Sequence, residues 1–266
     1  DGYTIGGNTG INANNETYAS WNWKANGSGS ANTVGSINST VSVNTTSGFS
    51  IVKWTGDRSQ TQTIGHGLGS IPKIIIVKNL DVTQGWTVYS SEIGANERLV
   101  LNNTNAKGTC TACFGNTRPT DTVFTVGDDA DTNGTGNNMI AYCFAEKTGY
   151  SKFGSYSGNG NVDGNFIYTG FKPAFFMQKR TDDAGNWAIF DNKRANPFNE
   201  ITACLEANQS NVEQNNTGYN DVDFLSNGIK IRTSSGEWNG NGHKLVFMAF
   251  AENPFVTSTK IPTTAR

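Results

Sequence analysis

Few residues in this 266-residue chain are equipped for chemistry. Cys110 and Cys113 form a C-x-x-C pair in "GTCTACFG". Tetrahedral zinc would need a second pair of ligands at matching spacing. The chain offers only Cys143 and Cys204, in apolar stretches, and two isolated histidines, His66 and His243. Zinc is therefore not expected, a Cys110–Cys113 disulfide is left open, and Cys143 and Cys204 read as small buried hydrophobes. "DADTNG", residues 129–134, matches the first half of a calcium loop, D-x-[DN]-x-[DN]-G. Its twelfth position is Ile140, where bidentate ligation wants Glu. Asp129, Asp131 and Asn133 are thus candidates for at most a partial Ca²⁺ site, and no other cofactor is expected.

Paired carboxylates could hydrolyse glycosides, but Asp128, Asp129, Asp131, Asp182 and Asp183 all lie in turn-rich stretches where Asp is expected for backbone reasons. A nucleophilic triad needs a histidine base. His66, in "IGHGLGSIP", aligns with Ile167 of a second copy described below, which suggests packing or turn capping; His243 is expected at an exposed hairpin foot. No G-x-S-x-G elbow is present, and an enzyme is not expected. Trp238 stands apart, in "SSGEWNGNG". At an exposed loop tip, Trp238 with Asn239 and Asn241 would form a ligand platform for a sugar or a protein contact; the alternative is plain loop packing.

The elements that must position these residues leave a stronger trace. Pro72 in "SIPKIIIVKN" and Pro173 in "FKPAFFMQKR" lie 101 residues apart, as do Trp86 and Trp187. Phe124 and Ile229 are 105 apart, and Phe144 of "AYCFAEK" and Phe250 of "FMAFAEN" 106. With "GFSIVKWTG" at Gly48 and "GYSKFGSYSG" at Gly149, also 101 apart, five matches in the same order imply an internal duplication. "YTIGG" at Tyr3 and "TYASWNWKA" at Tyr18 echo the last two strands of the unit, as if an upstream copy were cut at Asp1.

Within a unit, "KIIIVKN" suits a strand buried on both faces, while "WTVYS", "TVFTV" and "KLVFMAFAE" alternate as half-buried strands do. Asn/Gly-rich segments between them supply hairpin turns. Short helical turns are conceivable only near residues 90–99 and 192–207. The fold expected is all-β: tandem antiparallel β-sandwich, jelly-roll-like domains. Residues 1–24 would be the last hairpin of a truncated repeat and 25–47 a Ser/Thr/Asn/Gly linker. Residues 48–148 and 149–256 would be the two sandwiches, and 257–266 a tail.

Composition narrows the partners. Net charge is −2 and only 16% of residues are charged, with no basic stripe for phosphates, so nucleic acid is not expected. No apolar run approaches the roughly 20 residues of a membrane-spanning helix.

The set "GFSIVKWTG", "GHGLGSIPKIIIVKN", "AYCFAEKTGYSKFGSY", "GNFIYTGFKPAFFMQKR", "DFLSNGIKIRTS" and "FMAFAENPF" resembles a repeat domain of marine and cyanobacterial bacteriophage proteins, tail-fibre-like or otherwise on the virion surface. The likeness runs from about Asn15 to Arg266. It implies a structural virion component, a fibre, appendage or head decoration, at the particle surface. Expected partners are other virion proteins, further copies of the chain (a trimer favoured) and a host-surface glycan or receptor. Alternatives are a secreted carbohydrate-binding module and a tail-spike depolymerase. The likeness supplies no catalytic residues.

Overall fold

The computed structural model describes residues 2–194 and 199–254. After a single helical turn, α1 (Thr9–Asn12), two strands precede the repeats: β1 (Ser30–Asn32) and β2 (Ser39–Asn44). The first copy comprises β3 (Phe49–Thr55), β4 (Gln62–Gly65), β5 (Pro72–Asn79), β6 (Thr87–Ser90), β7 (Glu97–Val100), β8 (Gly108–Thr109), β9 (Val123–Val126), the turn α2 (Ala130–Asn133) and β10 (Asn138–Ala145). The second comprises β11 (Ser151–Ser157), β12 (Phe166–Tyr168), β13 (Pro173–Arg180), β14 (Trp187–Asp191), β15 (Ala203–Glu206), β16 (Gln214–Asn215), β17 (Val222–Leu225), β18 (Gly228–Ile231), the turn α3 (Gly236–Asn239) and β19 (Lys244–Ala251).

The fold is all-β and antiparallel, and its topology is written twice. One large sheet runs β3-β10-β5-β6-β7-β8, extended at the β3 side by β2 and β1; the other runs β11-β19-β13-β14-β15-β16. Each is faced by a small sheet, β4-β9 in copy 1 and β12-β18-β17 in copy 2. Even the irregularities repeat. The register slips between Phe144 and Ala145 so that Ala145 pairs with Pro72, and Ala251 likewise pairs with Pro173. A proline lacks the N–H that a regular ladder needs, so it sits at the entrance of the strand in both copies.

Strand alternation sorts the side chains into three cores. In β10, Met139, Ala141, Cys143 and Ala145 face the β4-β9 sheet, and in β5 so do Ile75 and Val77. In copy 2, Phe176, Phe247 and Ala249 face β12-β18-β17. The opposite faces of the two large sheets meet each other: Phe49, Ile74, Val88 and Phe144 pack with Phe153, Phe175, Met177, Val246, Met248 and Phe250. The two sandwiches are thus joined back to back in four layers. The "FAE" signature at the end of β10 and β19 lies at this junction, where the Phe144 and Phe250 rings meet edge to face at 6.1 Å. "KLVFMAFAE", expected to be half-buried, is buried on both faces for this reason.

Other expectations need correction. Among the described residues of 1–24 there is no hairpin. Instead Trp21 and Trp23 cover the open side of the central core, with Trp23 edge-on to Phe175 at 5.5 Å and Phe250 at 5.3 Å. Residues 25–47 are no linker: "STVSVN" is β2, paired along its length with β3 and burying Val41. Its Ser/Thr residues occupy the positions between valines, a period-two pattern hidden by polar composition. Residues 90–99 and the described part of 192–207 contain strand and turn, not helix. The expected tail, 257–266, lies outside the described residues. Among the described residues no helix is long and apolar enough to cross a membrane.

Candidate functional site

The residues singled out for a calcium site and for a ligand platform occupy one and the same position in the two copies. Asp129, Asp131 and Asn133 belong to α2 and its cap; Ser235, Glu237 and Asn239 are their counterparts in α3, 106 residues on. Asp129 and Ser235 both cap their turn through the side chain, accepting from Asp131 N and Glu237 N. Asn133 and Asn239 are both fully buried. The Asn133 amide donates to Asp57 Oδ1 (3.0 Å) and Gly127 O (3.2 Å), while its oxygen accepts from Asp57 N (3.2 Å). The Asn239 amide lies 2.9 Å from Asn159 Oδ1, 2.8 Å from Asn161 O and 2.7 Å from Thr233 O, and its oxygen accepts from Asn159 N at 3.1 Å. Each Asn ties the loop after the first strand to the turn before the last. Gly56 and Gly158 allow this approach: a Cβ there would meet the carbonyl oxygens of Gly134 and Gly240 at 2.3 and 2.2 Å.

Both site expectations are therefore corrected. The calcium candidates are engaged within the protein: Asp129 Oδ1 caps the turn, Asp131 pairs with Arg98 and Asn133 is spent on Asp57 and Gly127. Trp238 is 1% exposed, packed in the copy 2 core with its indole N–H on Asn220 Oδ1 at 3.2 Å. Asn239 is the buried tether, and only Asn241 is exposed. The Asn/Gly-rich surroundings that suggested a loop tip encode a tight turn folded back onto the sheet.

The other candidates resolve similarly. Asp128 pairs with Arg58 at 2.7 Å; Asp182 and Asp183 pair with Arg180 at 2.8 and 3.3 Å. Cys143 and Cys204 are buried, and loss of solvation pushes both thiols up to about 12. Cys110 and Cys113 form a disulfide. His66 is buried, accepts from Leu68 N at Nδ1 (3.2 Å) and donates from Nε2 to Thr120 O (3.2 Å). Its structural counterpart is Thr169, not Ile167. Thr169 Oγ1 accepts from Phe171 N in the same way, so the turn-capping reading holds and the alignment shifts by two residues.

Burial holds the His66 pKa below its ordinary value, against the hydrogen bond to Thr120 and the charge of Asp121. The unfolded chain then binds the proton more readily than the fold. Stability is retained above the unfolded value of about 6.5 and falls as pH drops through it, by about 1.4 kcal/mol per unit of depression. We expect the melting temperature to decline between pH 7 and pH 5. The His66→Gln protein should be less stable at pH 7 yet flatter over that interval; an equal slope would remove His66 as the cause.

The surface that distinguishes the copies is the outer face of the small sheet. In copy 2, β12 is an edge strand reading Phe166-Ile167-Tyr168. Ile167 points into the core, while Phe166 and Tyr168 stand outward, 46% and 62% exposed. The Phe166 ring lies over Gly228, where a Cβ would come within 2.7 Å of it. The same small sheet carries a recess of about 610 Å³ lined by Val162, Asp163, Asn199, Glu200, Asp223 and Arg232, and Asp223 shares a cross-strand row with Lys230 and Phe166. Its charges are ordered: Lys230 Nζ meets Asp163 at 2.7 Å, and Arg232 Nε meets Asp223 Oδ2 at 2.6 Å. The hydrogen bond and charge of Lys230 hold Asp163 below the usual carboxylate range. Partial burial, then the charges of Asp221 and Asp223, push Glu200 up.

In copy 1 the corresponding strand edge is taken up by the chain itself, which also covers the outer face at Gly65. The counterparts of Phe166 and Tyr168 are Thr63 and Gly65, and residues 34–37 lie along them. Ser36 N donates to Thr63 O and Gly65 N to Val34 O, both at 2.9 Å. A Cβ on Gly65 would sit 2.5 Å from Asn32 Nδ2, so no tyrosine fits there while the segment is in place. The period-two aromatics of "NFIYTG" were visible in the sequence, but nothing local shows that the face above them is bare.

No curated protein and no solved structure matches the chain. The model of one family, a domain of unknown function (DUF7483), matches residues 1–254, and the chain belongs to that family.

Proposed function

We propose that the chain is a non-catalytic surface module of a bacteriophage particle, a tail fibre, appendage or head decoration, whose open copy 2 face engages a host-surface saccharide. The observation that carries the recognition role is the contrast between the copies. One scaffold covers its small sheet with its own chain, and the other leaves two aromatic rings beside an ordered polar recess. Ring faces stack on the apolar C–H faces of sugars, and fixed Asp, Asn and Arg groups pair with hydroxyls. Both histidines bond backbone atoms, as His66 does and as His243 Nδ1 does with Gly236 O at 2.7 Å, which favours a binding role over a hydrolytic one. Assignment to the virion rests on the phage-repeat resemblance. A homo-oligomer, with a trimer favoured, and contacts to other virion proteins belong to the same proposal.

Two measurements test it. Antibody labelling of purified particles should find the chain on their surface; its absence there would favour a secreted binding module. In a binding assay with host envelope polysaccharide, Tyr168→Ala should weaken binding by about 2 kcal/mol, roughly thirtyfold, with an unchanged melting temperature. Undiminished binding by the variant would remove this face from the account.

A further inference from the structure

We infer that Cys110, Cys113 and Asp129 make a site for one thiophilic divalent cation of the Zn²⁺ or Cd²⁺ class, which the disulfide masks. The two sulfurs and a carboxylate oxygen of Asp129 all lie within 4.8 Å of one another, and Asp129 Oδ2 is 3.7 Å from Cys110 Sγ. The third ligand comes from a segment 16 residues beyond Cys113, brought in by the fold. Its orientation is fixed independently, because Asp129 Oδ1 is held by Asp131 N at 2.9 Å. This leaves Oδ2 directed at the sulfur. Arg98 Nη1 stands 3.4 Å from Cys113 Sγ and is paired with Asp131, so its charge favours thiolate while being balanced against an incoming cation. Cys110 is half-buried and gives access; Cys113 is buried.

The duplication supplies an internal control. In copy 2 the same turn is formed by Asn216 and Tyr219. Tyr219 N donates to Asn216 O at 3.0 Å, as Cys113 N does to Cys110 O at 3.2 Å. The turn therefore keeps its backbone without a covalent link, and opening the disulfide need not unfold it. An external dithiol reduces the Cys110–Cys113 bond: the S–S bond breaks, each sulfur gains one electron and one proton, and the dithiol closes to its own disulfide. Metal binding then displaces the two thiol protons. The two thiolates and Asp129 Oδ2 supply three of four tetrahedral positions, water the fourth.

The test uses the full chain, reduced, freed of reductant under argon and titrated with Cd²⁺. The expected result is one equivalent bound with a thiolate-to-metal absorption band, no band in the oxidised protein, and at least tenfold weaker binding in Asp129→Asn. The Cys110→Ser, Cys113→Ser double variant should take up no metal, and reduced protein alkylated at Cys110 and Cys113 gives the same reading should that variant fail to fold. The proposal is overturned by reduced protein that shows no band, by a band that survives alkylation, by Asp129→Asn binding as tightly as the parent, or by loss of the far-ultraviolet dichroism on reduction.

Discussion

Phe250→Ala is expected to destabilise the whole chain by about 4 kcal/mol and to lower the melting temperature by roughly 10 °C in a single transition. The ring is 6% exposed and contacts five aromatic neighbours edge-on: Trp23 at 5.3 Å, Tyr150 at 5.7 Å, Phe153 at 5.8 Å, Phe175 at 6.0 Å and Phe144 at 6.1 Å. Two belong to copy 2's own sheet, one to copy 1, one to the connection between copies and one to the N-terminal segment. A cavity here cannot collapse easily, because both sheets that wall it are tied by their own ladders and by bonds across the junction. These include Trp187 Nε1 to Val100 O (2.9 Å) and Lys107 N to Thr181 O (2.9 Å). Calorimetry checks the expectation. Tandem but independent sandwiches would show two transitions, with only the second displaced; a loss below 1 kcal/mol would mean that the sheets do not share a core. Phe166→Ala, on the open face, serves as the control and should change stability by no more than about 0.5 kcal/mol.

The second large effect is expected from Asn239→Ala, at about 3–5 kcal/mol. Truncation deletes the amide that satisfies Asn161 O and Thr233 O and the oxygen that satisfies Asn159 N; the bond to Thr233 O is fully buried, where no solvent substitutes, and the other two are part-buried. A buried group left without a partner costs roughly 1–3 kcal/mol. Asn133→Ala in copy 1 removes fewer bonds and should cost less, about 2–4 kcal/mol on the same reasoning. Chemical denaturation orders the two variants, and hydrogen exchange locates the damage: protection should fall first at residues 159–161 in one and 57–58 in the other. Near-neutral substitution at either Asn would sink the view that this repeated Asn-Gly turn is the clamp of each sandwich.

Much of the architecture is legible in the sequence. The duplication, the all-β class, the prolines at the strand entrances and the double-sided burial of "KIIIVKN" all follow from spacing and period. The candidate site could not be read the same way. Trp238 in "GEWNGNG" has the local signature of an exposed tip, and local signature does not report whether a turn folds back onto a core. The Phe166/Tyr168 pair was hidden by the opposite difficulty. A period-two strand exposes every second residue by default, and only the absence, among the described residues, of a covering segment like the one at Thr63 and Gly65 makes one such face available.

What this chain's residue order determined by itself is therefore the unit: its strands, their faces and its repetition, because a period of two and turn chemistry act over neighbouring residues. The tertiary structure alone decided what each face meets. Burial depends on segments far apart in sequence, so it alone turned the "FAE" phenylalanines into the seam between two sandwiches. For the same reason it placed Trp23 over that seam, brought Asp129 to the sulfurs of Cys110 and Cys113, and left one small sheet open where its twin is closed.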